Sequence, residues 1–377
     1  MTMNHPDKIR VLHFVTGGFS GGSTQVALGL VRAQMVSERI EPLLVLRRKR
    51  RADPARVQQL YDEGIPLETV NDISHISTIW ALIKVIKRFQ PDILVAHGFS
   101  EHIWGRWAGL LAKVPVLIHV EHNTRERYSW WRLKQSHFLT RYTARIIGVS
   151  EGVREVMVQR GFPAEKCIAI PNGINLNPFA ALPQQPFEQR ETAVMMVSRF
   201  AKQKDHDTLV RALALLKQRG FTVPAYFAGG GKAPAVNKIK RLVEELKLTD
   251  QVHFLGYQRN IPELLASKKF AVQCSRWEGG PLSLYEGMAA GCAAIATDIP
   301  GLRESIRHGE TGLLHQLGSA EHLAQQLEHY LRNPEQTAAI AAAGREQVFS
   351  HHSKEFMNQG YEQLFVQLIS SAQTSRR

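Results

Sequence analysis

Two carboxylates stand on either side of a Gly-Gly-Pro stretch in the segment Ser275 to Asp298, SRWEGGPLSLYEGMAAGCAAIATD. Glu278 precedes Gly279, Gly280 and Pro281, and Glu286 follows Leu282 and Ser283. An ionised carboxylate accepts several hydrogen bonds at once, so the pair is suited to hold two diols, one on each side of a phosphate. As a purely structural feature, the same acids would stabilise a helix dipole by only a few tenths of a kcal/mol. Two cations precede them: Arg199 and Lys204 follow the apolar run Ala193 to Val197. Fixed cations stabilise a leaving group on which negative charge develops, and they do so without a metal. Asp205 and Asp207 have the form of an Asp-x-Asp metal motif. They immediately precede the helical pattern Leu209, Leu213, Leu216, however, and read as its N-cap and first-turn acids, so neither a metal ligand nor a cofactor is expected.

The elements that must position these groups follow from periodicity. Phe270 to Cys274 reads as a buried strand, and a helix begins near Pro281, runs through Leu284, Tyr285 and Met288, and stops at Gly291 before the strand Ala293 to Thr297. Glu278 then lies in the loop and Glu286 near the end of the first turn. A helix start offers unpaired N–H groups and partial positive charge, which suits a phosphate or a sugar hydroxyl. Further strands are Ile9 to Val15, Leu43 to Leu46, Ile93 to Ala96, Val116 to Val120, Ile146 to Val149, Ala225 to Ala228 and Val252 to Leu255, with helical patterns between them. Such alternation predicts parallel sheets, and polar residues at the carboxyl ends of their strands are where open α/β sheets bind ligands. His97 closes one strand; His122 and Asn123 close another, and both histidines are expected at one crevice. His119, three residues before His122, is the alternative for the strand-end position. Gly17, Gly18, Gly21 and Gly22 follow the first strand, but without the spacing of a dinucleotide fingerprint. The division expected is a first domain over 1–180, a linker over 181–191 that lacks periodicity, a second domain over 192–350, and a final amphipathic helix in 351–377.

The glutamates, eight positions apart (278 and 286), together with Arg199 and Lys204, resemble the signature of retaining nucleotide-sugar glycosyltransferases of family 4, of the GT-B type. The resemblance covers most of the chain and implies an α/β fold of two Rossmann-like parallel-sheet domains facing a central cleft, with the last helix crossing back to the first domain. It also implies roles. Glu278 would bind donor-sugar hydroxyls and Glu286 the ribose, with the backbone of Gly279, Gly280, Pro281, Leu282 and Ser283 cradling sugar and phosphate. Arg199 and Lys204 would hold the diphosphate, Gly17, Gly18 and Gly22 would face the donor phosphates, and Tyr257 and Arg259 would lie against the base. His122 would meet the reacting sugar, giving His122, Arg199, Lys204 and Glu278 as the catalytic set, and His97 and Asn123 would lie on the acceptor side. The stretch Pro171 to Asn175 resembles the family's interdomain motif, with Asn175 where Asp is usual. The implied reaction is transfer of a hexose-type sugar from a nucleoside diphosphate sugar to an acceptor hydroxyl with retention, the leaving diphosphate helping to take the acceptor proton.

Bulk composition fits this reading. The chain has 377 residues, 44% of them hydrophobic, enough for two domains with their own cores. No apolar run approaches the length of a membrane span, and Cys167, Cys274 and Cys292 show no metal or disulfide spacing, so a reducing, cytosolic location is expected. The net charge is +13, and residues 1–180 carry most of it, 24 Lys and Arg against 15 Asp and Glu. Arg47, Arg48, Lys49, Arg50 and Arg51 are expected in a solvated loop. Residues 124–145 interleave Arg125, Arg127, Arg132 and Lys134 with Tyr128, Trp130, Trp131 and Phe138, which suits an anionic membrane interface, nucleic-acid bases, or a surface helix packing its aromatics on the sheet. The expected partners are thus a nucleoside diphosphate sugar, a glycan or lipid-linked glycan acceptor in envelope polysaccharide or lipopolysaccharide synthesis, and the inner face of the cytoplasmic membrane. Two rivals are a non-hydrolysing sugar-nucleotide 2-epimerase, whose acid–base residues have no evident place here, and a basic nucleic-acid-binding module. The second lacks its short motifs and leaves the glutamate pair unexplained, so no nucleic acid is expected.

Overall fold

The computed structural model describes residues 8–17, 22–48, 54–71, 73–98, 101–125, 128–183 and 185–374. They form two compact units, Met1–Asn172 with Lys354–Arg377, and Gly173–Ser353. In the first, β1 (Ile9–Thr16), α1 (Gly22–Gln34), β2 (Ile40–Arg47), α2 (Pro54–Asp62), β3 (Leu67–Val70), α3 (His75–Phe89), β4 (Ile93–His97), α4 (Glu101–Leu111), β5 (Val116–Glu121), α5 (Trp130–Thr140), β6 (Arg145–Gly148), α6 (Glu151–Gln159) and β7 (Cys167–Ala169) alternate. Every pairing is parallel, in the order β3-β2-β1-β4-β5-β6-β7. Side chains alternate along each strand, which sends residues to two cores. Leu12, Phe14, Leu94 and Ala96 pack under α3, α4 and α5. Val15, Leu44 and Leu46 pack under α1 and α2 on the opposite face.

The second unit contains α7 (Asn177–Ala181), β8 (Glu191–Val197), α8 (His206–Gln218), β9 (Ala225–Ala228), α9 (Ala233–Glu245), β10 (Val252–Gly256), α10 (Ile261–Ala266), β11 (Lys268–Gln273), α11 (Leu282–Ala289), β12 (Ala293–Thr297), β13 (Leu313–His315), α12 (Ala320–Arg332) and α13 (Pro334–His351). Its parallel sheet has the order β10-β9-β8-β11-β12-β13. The last helix, α14 (Lys354–Thr374), belongs to the first unit. In both sheets the chain runs outward to one edge and returns to start on the other side of the first strand. The switch points are β1/β4 and β8/β11, where strand-end crevices of open α/β sheets form.

Three expectations change. The units divide between Asn172 and Gly173, so residues 181–183 and 185–191 belong to the second unit, with a 3₁₀ turn at Phe187–Gln189. The reason is Arg190. It is buried, and its Nη1 donates to the carbonyls of Ala290 (2.9 Å) and Gly291 (2.8 Å), the open end of α11. Arg47 also departs from the solvated run: it is buried and paired with the buried Glu101 at 3.3 Å, which removes the cost of an isolated interior charge. Arg48 is exposed, and Lys49, Arg50 and Arg51 lie outside the described residues. Finally, Pro281 takes the N-cap position of α11 and the helix starts one residue later, at Leu282, which places Glu286 in the second turn.

Helix α11 is held at both ends. At its C-terminus, Gly291 has φ +78 and its N–H reaches Met288 O, while the Cys292 N–H reaches Gly287 O, closing a left-handed cap. Gly287 lets the helix lie close to β11, since a Cβ there would be 2.5 Å from that of Ala271. Arg190→Ala strips a charged donor from two helix-end carbonyls and should lower the unfolding free energy by about 1.5–3 kcal/mol, read from denaturant melts. An unchanged midpoint would mean that water replaces the guanidinium at no cost.

Candidate active site

The second unit gathers several of the residues singled out in the sequence at the carboxyl ends of β8 and β11. Glu278 is buried, and its Oε1 accepts from Lys204 Nζ, from Ser275 Oγ at 2.7 Å and from Gln273 Nε2 at 3.3 Å. Gln273 extends the network, because its Oε1 accepts from Ser283 Oγ at 2.9 Å. One buried amide therefore orients both the loop carboxylate and the first turn of α11. The two loops are also tied through their backbones: Arg276 N–H donates to Gln203 O (2.7 Å), and Gln203 Nε2 donates to Trp277 O (2.9 Å). Gly301, at φ +86, sits where a Cβ would be 2.6 Å from Glu278 O, so its lack of a side chain sets the height of that loop.

Asp205 is the N-cap residue of α8, as its position suggested, but its side chain does not cap the helix. It is buried with φ 51, and its carboxylate accepts from Arg276 (2.9 Å) and Thr208 (2.9 Å), which ties the Lys204 loop to the Glu278 loop. Asp207, in the first turn, pairs with Arg211 at 2.7 Å and Lys238 at 3.5 Å.

Glu286 contrasts with Glu278. It is half-buried, has no hydrogen-bond or ion-pair partner among the described residues, and burial pushes its pKa up to about 7. Arg199, on the loop after β8, is exposed and also without a partner among the described residues. Of the turn Gly279 to Ser283, Leu282 N–H folds back to Gly280 O and Leu284 N–H to Pro281 O, so fewer N–H groups are open than a bare helix start would offer. Tyr257 and Arg259 are exposed beyond β10, the edge strand, and neither bonds to the Lys204–Glu278 group.

In the first unit, Gly17 follows β1 and lies against the end of β2: its N–H donates to Arg47 O at 2.8 Å, and a Cβ there would be 2.8 Å from the same oxygen. Gly22 opens α1, and Gly18 lies outside the described residues. His97 closes β4 and is fully buried. His122 and Asn123 follow β5 and are half-buried; Asn123 Oδ1 accepts from Arg125 N–H at 3.0 Å in a local turn. His97 Nδ1 and His122 Nε2 are 3.2 Å apart, so the structure joins those two residues. His119 is on the other face of the sheet, fully buried and stacked on His102 with ring centroids 3.9 Å apart.

His102, His119 and Glu121 place their ligand atoms within 4.8 Å of one another, a spacing a metal ion could use. Two of the three are already engaged, His102 and Glu121. Arg106 Nη2 lies 2.8 Å from His102 Nδ1, and a guanidinium only donates, so Nδ1 is the acceptor and the ring N–H sits on Nε2. That N–H reaches Tyr128 Oη (3.0 Å), which donates to Glu121 Oε2 (2.9 Å). Burial lowers the Arg106 pKa to about 10, leaving a buried cation that Glu121 balances.

Gln273, Ser275, Gln203 and Arg276 were not among the site residues read from the sequence. The available signal was Gln273, a polar residue within the apolar run Phe270 to Cys274, since a buried amide requires partners.

Two parallel-sheet units of this kind make the GT-B fold, and the family matches place the chain in the class of GT-B glycosyltransferases. Residues 20–178 match the family described as "Glycosyltransferase Family 4" and residues 180–347 the family "Glycosyl transferases group 1". The chain belongs to the family 4 glycosyltransferases of GT-B type. It is 31% identical over 181 residues to N-acetyl-alpha-D-glucosaminyl L-malate synthase of Bacillus anthracis, a match spanning 48% of this chain and 47%, about half, of that protein. It is 28% identical over 359 residues to EpsF of Bacillus subtilis (strain 168), assigned as a glycosyltransferase, covering 91% and 90% of the two chains. It is 24% identical over 269 residues to the Escherichia coli UDP-Gal:alpha-D-GlcNAc-diphosphoundecaprenol alpha-1,3-galactosyltransferase, covering 66% and 68%. The fold superposes on Anabaena HepE in complex with UDP with a TM-score of 0.81 at 22% identity, over 95% and 100% of the two chains.

A carboxyl whose pKa is raised in the folded state prefers its proton there. Its contribution to stability is therefore fully present below about pH 4.5 and is lost as pH rises through about 7. Glu286→Gln should flatten that fall, measured as unfolding free energies at pH 5 and pH 7.5 (roughly either side of the transition). Parallel pH profiles for parent and variant would show that Glu286 is not desolvated.

Proposed function

We propose that the protein is a retaining, metal-independent glycosyltransferase that moves a sugar from a nucleoside diphosphate sugar to a hydroxyl of a glycan or a lipid-linked glycan. The observation that carries this reading is the Lys204–Glu278 pair, bonded at the ends of the adjacent strands β8 and β11, with the unpaired Arg199 on the same loop as Lys204. A carboxylate beside an ammonium group fits the junction of a sugar and a diphosphate: Glu278 accepts from sugar hydroxyls, and Lys204 and Arg199 meet phosphate oxygens. Glu286, with no partner among the described residues, accepts from the ribose diol. As the bond from the anomeric carbon to the diphosphate oxygen breaks, its electron pair stays on the diphosphate, where the two cations stabilise it. The acceptor oxygen bonds to the anomeric carbon on the face being vacated, and its proton passes to the departing phosphate oxygen. HepE was crystallised with UDP and with UDP-glucose, which makes uridine diphosphate sugars the first donors to test. The E. coli relative's lipid diphosphate acceptor supports a lipid-linked glycan here.

The first unit supplies the means of reaching such an acceptor. Helices α3, α4 and α5 cover one face of its sheet, and the only acid among their residues is Glu101, buried against Arg47. Ile76, Trp80, Leu111, Trp130, Trp131 and Phe138 are exposed on this layer, beside Lys84, Lys87, Arg132 and Lys134. Lys134 sits over the Trp130 ring at 4.0 Å, so the cation and the aromatic present one amphipathic patch. Among the described residues no helix is long and apolar enough to cross a membrane. The enzyme works peripherally, on the cytoplasmic face of an anionic membrane.

Radiolabel from a uridine diphosphate sugar should appear in an acceptor glycan, with a rate roughly a hundred-fold or more lower in Arg199→Ala, a surface change that leaves the fold intact. Loss of activity in EDTA, with recovery on adding magnesium, would overturn the cation-clamp account and reopen Asp205 and Asp207.

Anionic vesicles should retain the protein at low salt and release it as salt rises, because each basic group near the surface contributes on the order of 1 kcal/mol and is screened. Trp130→Ser with Trp131→Ser should weaken retention while sparing donor hydrolysis. Equal recovery of the parent with neutral and anionic vesicles would remove the membrane from this reading.

A further inference from the structure

Three histidines of the first unit form a continuous chain. His13 lies in β1, His97 in the neighbouring β4, and His122 just past β5, the next strand. Gln34 Oε1 is 2.8 Å from His13 Nε2; His13 Nδ1 is 3.0 Å from His97 Nε2; His97 Nδ1 is 3.2 Å from His122 Nε2. His13 and His97 are fully buried and Gln34 nearly so. The outward nitrogen of the chain, His122 Nδ1, has no partner among the described residues.

Proton counting constrains this chain. A neutral imidazole carries one N–H, and each ring-to-ring link needs one donor and one acceptor. If His97 carries its hydrogen on Nε2, it donates to His13 Nδ1, which forces the His13 hydrogen onto Nε2. His97 Nδ1 is then bare and must accept from His122 Nε2–H. If His97 instead carries its hydrogen on Nδ1, both neighbours switch as well. The three rings therefore share one tautomer. Charged forms are disfavoured, since burial pushes His13 and His122 down to about 4 and His97 well below its ordinary value.

The amide of Gln34 selects between the two registers. With Oε1 facing His13, the rings are all Nε2–H and His122 Nδ1 is an acceptor. The Gln34 Nε2 group is buried without a partner among the described residues, so rotation of the amide exchanges one orphan for another and brings a donor to His13. All three rings would then be Nδ1–H, and His122 would present a donor.

We propose that Gln34, His13 and His97 are positioning residues that keep His122 neutral and fix its Nδ1 as the acceptor of a hydrogen bond from a sugar hydroxyl. His122 is not a general base in this arrangement. A proton taken up at Nδ1 would travel to His13 and stop there, because the amide oxygen of Gln34 cannot receive it, leaving a buried imidazolium. The sugar-facing role of His122 rests on the function proposed above, whereas the tautomer coupling rests on the three distances and on the burial that keeps the rings neutral.

The two parts separate experimentally. In protein labelled with 15N-histidine, long-range 1H–15N correlation spectra assign the tautomer of each ring. All three should be neutral at pH 7 with the hydrogen on Nε2. Gln34→Met removes the acceptor for the His13 N–H, and an orphaned buried N–H is disfavoured more than an orphaned acceptor. The variant should thus carry all three rings over to Nδ1–H, including His122 at the far end, and the transfer rate should fall on the order of ten-fold for one mismatched hydrogen bond. Unlike tautomers among the three rings of the parent protein would overturn the coupling without any variant. So would a His122 tautomer that stays put in Gln34→Met while that of His13 changes. A concerted switch with an unchanged transfer rate would overturn the sugar-facing role and leave the coupled chain standing.

Discussion

A carboxylate withdrawn from water has to be paired, or it takes up a proton, and Glu278 is withdrawn and paired. Its partners come from three places: Lys204 after β8, Gln273 at the end of β11, and Ser275 in the loop that follows. Those partners converge only because β8 and β11 are neighbours where the sheet order reverses. The rest of the second unit can be understood as support for that meeting point. Arg276 and Asp205 join the two loops, Gly301 clears room for one of them, and Gly287 lets α11 approach β11 closely enough for Ser283 to reach Gln273. Arg190 and the left-handed Gly291 then hold the opposite end of the same short helix.

The two glutamates of this segment show how environment divides one residue type into two roles. Glu278 has a cation and two neutral donors, so its charge is compensated inside the protein. Glu286 is desolvated without compensation, which raises its proton affinity and leaves its oxygens open to a ligand. A group kept in an unsatisfied state costs stability, and such groups concentrate where binding restores what folding leaves undone. Arg199 completes that pattern on the cationic side, exposed and unpaired among the described residues while Lys204 is engaged.

The first unit uses histidine in two different ways on the two faces of one sheet. On the α4 side, His102 is locked by Arg106 and Tyr128, Tyr128 donates to Glu121, and His119 stacks on His102, in a network whose charges balance. On the α1 side, His13, His97 and His122 contain no ion to anchor them. The second chain has one open end, and its register is decided at the other. Hydrogen-bond direction is thus carried across three strands without moving any backbone.

Much of the architecture was legible in the chain itself. The apolar runs of β4, β5, β11 and β12 and the 3.6-residue patterns of α3, α8 and α12 are local properties, and strict alternation of the two dictates parallel sheets. The Gly-Gly-Pro break before α11 and the glycine after it are equally local, and they placed that helix to within a residue. Charge was not legible in the same way. Arg47 looked like the first member of a solvated run because the sequence shows its neighbours along the chain, whereas Glu101, which allows its burial, is brought to it from another helix. Arg190 looked like linker because its partners are carbonyls of a helix distant in sequence. Gln273, Asp205 and the order of the histidine chain belong to the same category. Periodicity records what each residue prefers as solvent, and that much the sequence by itself determined; which donor meets which acceptor depends on strand order and register, and only the tertiary structure decided it.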